Sequence, residues 1–163
     1  MELKQRLDPR IIFTGLYVIL FLVYLVIGLQ PADAVQYLIS GNLTVPSIGL
    51  SSDIAKIELE NGSLNTPNSI IGEYLTDDGR PFLFGHSTSV FQNLDEIKHG
   101  DAVYYNNKMY SVSDISVQEK SEIDMLELLK KDENDSIVLM TCAGELYKDG
   151  DASHRLIVTA VAK

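Results

Sequence analysis

The sequence predicts a mainly β chain: a closed or nearly closed barrel of about eight strands with short helical insertions, preceded by one N-terminal transmembrane helix. Three observations lead there. From about Val45 onward, short apolar runs alternate with turn residues, as expected of many short strands around one small core. Ile137–Cys142 (IVLMTC) is a continuous apolar run, the pattern of a strand covered on both faces. Ile11–Gln30 reads IIFTGLYVILFLVYLVIGLQ, and no charge falls between Arg10 and Asp33. At ~1.5 Å rise per residue, about 20 helical residues cross a ~30 Å hydrocarbon layer.

With 163 residues there is room for one modest domain and an extra segment, not for two separate cores. The expected order is a cytoplasmic tail (1–10), a transmembrane anchor (11–29), a spacer (30–44) and an extracytoplasmic folded domain (45–163). Lys4, Arg6 and Arg10 precede the apolar block and Asp33 is the first charge after it, so the N-terminus is expected in the cytoplasm. Ala32-Asp33-Ala34 loosely fits a signal-peptidase site, but the apolar block exceeds the ~7–15 residues of a cleaved leader. An uncleaved single-pass anchor in the cell membrane is therefore expected.

Within the folded domain, Val45–Leu50 and Ile54–Leu59 are short apolar runs separated by Ser51-Ser52-Asp53. Pro81–His86 (PFLFGH) reads as a buried strand. Phe91–Gly100 reads as a turn of helix, with Phe91, Leu94 and Ile97 recurring every third residue. Ala102–Tyr105 and Lys108–Val117 flank Asn106-Asn107, a hairpin signal because Asn tolerates positive φ. Ser121–Lys131 reads as a short helix with Ile123, Leu126 and Leu129 on one side. His154–Val161 (HRLIVTAV) is the last strand.

Net charge is −10. The first ten residues hold three basic and two acidic groups, leaving 10 basic against 21 acidic for the rest. That balance excludes nucleic acid as a partner, because phosphate binding needs clustered Lys and Arg. It equally disfavours an outer polybasic lipid-binding patch. Most of these carboxylates are expected only to solvate the surface.

The single cysteine is the most informative count. Exported small domains use cysteines in pairs, and a lone thiol outside the cell is exposed to oxidation. Cys142 is therefore either buried filler or reactive. Met140-Thr141-Cys142-Ala143-Gly144 places it where a buried strand gives way to glycine and a polar loop, so the sulfur is expected at a strand end, on a rim. A thiolate nucleophile needs a base or a nearby cation. Of the three histidines, His86 follows the PFLF strand between Gly85 and Ser87, where backbone approaches closely. His99 sits in a charged turn, Lys98-His99-Gly100, and His154 opens the last strand. His86 is the best base. Arg155 lies thirteen residues after Cys142, room for a loop and a return into an adjacent antiparallel strand. A buried-strand arginine without a partner is costly. It is expected either to donate to an oxyanion or substrate carbonyl, or to pair at the surface with Asp149 or Asp151.

Together these residues resemble the sortase family. The resemblance runs from Val45-Pro46-Ser47-Ile48-Gly49 through Gly85-His86-Ser87 and Phe91…Leu94…Ile97…Gly100-Asp101. It continues in Tyr110-Ser111-Val112, Ile137–Cys142 and Arg155-Leu156-Ile157-Val158, in the family's order His, Cys, Arg. The resemblance implies a cysteine transpeptidase that cuts a C-terminal sorting signal of the LPxTG kind between Thr and Gly. A thioester forms on the cysteine, and an amine from a cell-wall precursor or a pilin subunit resolves it. Carried over, Cys142 is the nucleophile, His86 the general acid/base and Arg155 the oxyanion donor, while Thr141 orients substrate or shapes the pocket. Implied partners are surface proteins bearing the sorting signal, the acceptor amine, and a lipid bilayer through 11–29.

The chain departs from the family's usual Thr-Leu-x-Thr-Cys, with Val138 in the first Thr position and Met140 in the variable one. Many members have Pro two residues after the cysteine, where this chain has Gly144. No second membrane helix follows and no lid precedes Val45, which favours a housekeeping-like or divergent type over the pilin-polymerising subgroup. No cofactor is implied as required. Some members bind Ca²⁺, for which Glu73, Asp77 and Asp78 before His86, and Glu122, Asp124 and Glu127 later, are the oxygen donors on offer; a chain this acidic supplies such clusters by chance. Two rival readings are an exported β-barrel binding module with an incidental thiol, and a cysteine wall hydrolase. The hydrolase type runs Cys before His, and only His154 follows Cys142.

Overall fold

Tyr37–Lys163 forms one unit by its internal contacts. The structure, a computed structural model, describes residues 37–60, 64–75, 79–130, 134–148 and 151–163. The tail, the anchor and the Ala32-Asp33-Ala34 segment lie outside the described residues. Among the described residues no helix is long and apolar enough to cross a membrane.

Eight strands close into a barrel: β1 (Ile39–Val45), β2 (Leu50–Lys56), β3 (Ile71–Tyr74), β4 (Phe82–Phe84), β5 (Ala102–Tyr105), β6 (Lys108–Glu119), β7 (Ser136–Leu146) and β8 (Ala152–Ala162). Their order around the barrel is β1-β2-β3-β4-β7-β8-β6-β5, with β5 returning to β1. Closure leaves no free sheet edge. The pairings β2–β3 and β4–β7 are parallel, so long connections must cross between them, and the rest are antiparallel.

The Asn106-Asn107 hairpin forms as its sequence demands, with both residues at positive φ (50° and 64°). Phe91, Leu94 and Ile97 are all buried, and Leu94–Glu96 is a 3₁₀ turn, whose three-residue period matches their spacing.

Several boundaries differ from expectation. β1 begins at Ile39, so Ile39–Thr44 belongs to the barrel and not to a spacer. Val45–Leu50 is not a strand: Pro46–Ile48 is a 3₁₀ turn ending at Gly49, and β2 runs straight through Ser51-Ser52-Asp53. The expected helix at Ser121–Lys131 is a 3₁₀ turn (Lys120–Glu122) followed by one short helix, α1 (Met125–Leu129). Asp124 caps α1 by accepting from the backbone N–H of Leu126 and Glu127. Leu126 does not join an apolar side with Ile123 and Leu129; it is 82% exposed.

The β4–β7–β8 sheet is apolar on both faces, which explains the uninterrupted IVLMTC run. Leu83, Ile137, Leu139, Leu156 and Val158 point into the barrel interior with Leu43, Val45, Ile71 and Phe91. Phe82, Phe84, Val138 and Ile157 point outward and are covered by Ile57, Leu64, Ile123, Met125 and Leu129 from two long connections. Each such buried side chain contributes about 1.5–3 kcal/mol. The Phe82 and Phe84 rings stack at 5.7 Å. This outer layer is the floor on which the site is built.

Candidate active site

On that outer face lies a cleft of about 700 Å³. Phe82, Phe84 and Met140 form its floor, and Leu59, Leu64, Met125 and Leu129 its walls. His86, Cys142 and Arg155 all line it. Strand geometry explains why. Cys142 pairs directly with Arg155 across β7–β8, and Met140 with Ile157. Side chains alternate along a strand, so Met140 and Cys142 share the outward face with Ile157 and Arg155. Directly opposed residues hold their Cβ atoms ~4.5–5.5 Å apart. β4 runs parallel to β7 with Phe84 opposite Met140, and Gly85 N–H still donates to the Met140 carbonyl (3.3 Å). His86 thus leaves the ladder beside Cys142.

Two backbone features hold this corner. Gly85 is packed so closely that a Cβ there would lie 2.5 Å from Val90 Cγ2; no larger residue fits before His86. Thr141, 5% exposed, donates its hydroxyl to the Gly85 carbonyl at 2.7 Å. Its one O–H is thereby committed to the turn carrying His86, so Thr141 shapes the site from beneath. Thr141→Val is expected to leave that carbonyl unpaired, costing about 1–3 kcal/mol. A thermal melt should show the loss, with a fall in turnover beyond what unfolding accounts for.

Cys142 is not at a strand end. β7 continues to Leu146, with a register irregularity between Ala143 and Leu146. Gly144 sits at φ 76°, and a Cβ there would meet Ser153 Oγ at 2.6 Å and His154 Nδ1 at 2.7 Å. The break in the ladder two residues past the thiol is what opens the rim. Proline, fixed near φ −65°, has no access to this conformation, so the departure at Gly144 is a different backbone path. Gly144→Ala is expected to destabilise by about 1–3 kcal/mol, read in the same melt.

Arg155 lines the cleft and is paired with Asp151, one of its two expected surface partners. Its Nη2 donates to Asp151 Oδ1 at 2.6 Å, and its Nη1 to the carbonyls of Ala152 and His154, each at 2.9 Å. Asp151 also receives Lys120 Nζ and its neighbour's backbone N–H, Ala152 N, at 2.8 Å. The Lys120 ammonium, then Arg155, then that N–H hold the Asp151 carboxyl well below the usual carboxylate range. A depressed carboxylate stabilises the fold above its ordinary value of 3.8 and loses that contribution only as pH falls through the lower folded value. Lys120 and Asp151 line the cleft as well; Asp151 entered the sequence reading only as a surface partner, and Lys120 carried no motif.

The other histidines are placed elsewhere. His99 is exposed in its turn. His154 pairs with Ala143, faces away from Cys142 along β8, and has Nδ1 2.8 Å from Ser153 Oγ. Of the calcium candidates, Asp77 and Asp78 lie outside the described residues. Glu73 is 3% exposed and its carboxylate accepts from the Tyr105 hydroxyl and from Ser40 Oγ (3.1 Å). It is an internal hydrogen-bond acceptor and not a loop ligand. Burial, then Glu73, push the Tyr105 phenol upward. Among the described residues no group of three His, Cys, Asp or Glu is arranged to hold a metal ion.

A thiol opposite a guanidinium, with an imidazole lining the same apolar cleft, is an arrangement suited to cysteine acyl transfer. The family model for the sortase domain matches residues 43–163. The chain belongs to the sortase family and is a cysteine transpeptidase of that type. Solved structures agree on the fold. Sortase A of Listeria monocytogenes superposes with TM-score 0.60 at 19% identity, over 77% of this chain and 87% of that one. Sortase C-1 of Actinomyces oris gives 0.57 at 26% identity, over 77% and 74%. A sortase D5 transpeptidase of Clostridium perfringens gives 0.56 at 22% identity, over 77% and 79%. No curated protein sequence matches the chain.

Proposed function

We propose that this transpeptidase works outside the membrane, held there by residues 11–29, and acts on proteins carrying a C-terminal LPxTG-like sorting signal. The observation that carries the reading is the register Cys142 opposite Arg155 at the open end of an apolar cleft, with His86 alongside. The aromatic and aliphatic floor suits the apolar leading residues of such a signal. Cys142 gives its proton to His86 as its Sγ attacks the Thr carbonyl carbon, and the electron pair moves onto oxygen, where the Arg155 guanidinium stabilises it. As the intermediate collapses, the C–N bond to Gly breaks and His86 donates a proton to the departing amine. The product is a thioester on Cys142. An incoming amine then loses a proton to His86, attacks that thioester, and expels the thiolate with formation of a new amide. The acceptor amine is a cell-wall precursor or a pilin subunit in this scheme. Thr141 supports the reading through the turn that carries His86.

The test is turnover of a panel of sorting-motif peptides by the full-length chain with different amine acceptors. The expected result is cleavage after Thr and a product mass that includes the acceptor. Cleavage at another bond, or release of free acid regardless of acceptor, would overturn the proposed signal and transfer.

A further inference from the structure

Among the described residues the cleft contains one carboxylate, Asp151, beside the cations Lys120 and Arg155. Asp151 immediately precedes β8 and gathers groups from two elements. Its Oδ2 receives Lys120 Nζ from the 3₁₀ turn after β6, while its Oδ1 receives Arg155 Nη2 from β8 (2.6 Å) and the Ala152 N–H (2.8 Å). The start of β8 supplies the Ala152 and His154 carbonyls that take Nη1. Arg155 is 12% exposed, against 30% for Asp151 and 55% for Lys120. The guanidinium is therefore the inner member of the cluster, and it is held on two of its three nitrogens by Asp151 and the start of β8.

We propose that Asp151 is a positioning residue: its carboxylate fixes the plane of the Arg155 guanidinium in the cleft beside Cys142, and Lys120 anchors the carboxylate from the opposite side. This rests on the oxyanion role proposed for Arg155. An arginine side chain has four rotatable bonds between backbone and guanidinium, and a donor aimed at a transient oxyanion acts only if it is already in place. The carbonyls fix one nitrogen; a second point is needed to fix the plane, and Asp151 is that point. A neutral asparagine keeps an acceptor oxygen but loses the charge that draws both cations to it.

Full-length Asp151→Asn, Arg155→Ala, the double variant and Asp151→Glu test the proposal by kcat, KM and melting temperature on one sorting peptide. Asp151→Asn is expected to lower kcat on the order of 10- to 100-fold with KM nearly unchanged. Arg155→Ala should lower it ~10²- to 10³-fold. The double variant should be no slower than Arg155→Ala alone, and Asp151→Glu should recover most of the rate. If Arg155→Ala abolishes turnover while Asp151→Asn keeps full kcat, or raises only KM, the positioning role is overturned and the Arg155 role stands. Penalties that multiply in the double variant overturn it too, since Asp151 would then act independently. Full kcat in Arg155→Ala overturns both.

Discussion

Cys142→Ala is expected to abolish acyl transfer, lowering kcat at least ~10⁴-fold, because no second thiol is there to form the thioester. The chain holds no second cysteine. Cys142 is half-buried and makes no disulfide. It lies on the outward face of β7 and lines the open cleft, so losing one sulfur there opens no enclosed cavity. The melting temperature should stay within a few degrees of the parent. Activity lost together with a large fall in melting temperature would point instead to a structural thiol.

His86→Ala is expected to have the second largest effect, about 10²- to 10⁴-fold on kcat. The leaving amine has to receive a proton as the C–N bond breaks, and His86 is the histidine that lines the cleft. The backbone around it should survive the change. Its own carbonyl accepts from the N–H of Ser89 and Phe91, and the Gly85 carbonyl is already paired with Thr141. Imidazole added to the buffer should restore part of the rate, since the position is only partly buried. Retention of full activity in His86→Ala would move the proton-transfer role to another group.

The site was more legible in the sequence than the strands that carry it. His86, Cys142 and Arg155 each stand next to a strongly apolar run, so their strands announce themselves. The register that brings them to one cleft is a long-range property: it depends on β4 lying parallel to β7, which local spacing does not encode. β3 (Ile71–Tyr74) is hard to read locally because a four-residue strand containing Gly72 and Glu73 has no clean alternation, even though Pro67-Asn68-Ser69 precede it. Its Glu73 is inward-facing, satisfied by Tyr105 and Ser40, and so reads as a loop acid until those partners are seen. Ile39–Thr44 looked like a spacer because Gly41 and Asn42 break the run and only Leu43 and Val45 are buried. Gly144 reads as the end of the strand, where the chain instead breaks its ladder and continues to Leu146. Asp151 was visible as a neighbour of Arg155, but its bond to Lys120 joins residues 31 apart.

The chemistry proposed here turns on a thioester at one sulfur, and that intermediate is directly observable. The full-length chain is mixed with a sorting peptide in the absence of an acceptor amine, quenched in acid within seconds, digested and weighed by mass spectrometry. The prediction is an adduct equal to the acyl fragment ending in Thr, carried on the peptide containing Cys142, removed by hydroxylamine and absent in Cys142→Ala. Peptide turnover with no adduct on Cys142, or with the acyl group on another residue, would contradict the assignment of Cys142 as the nucleophile.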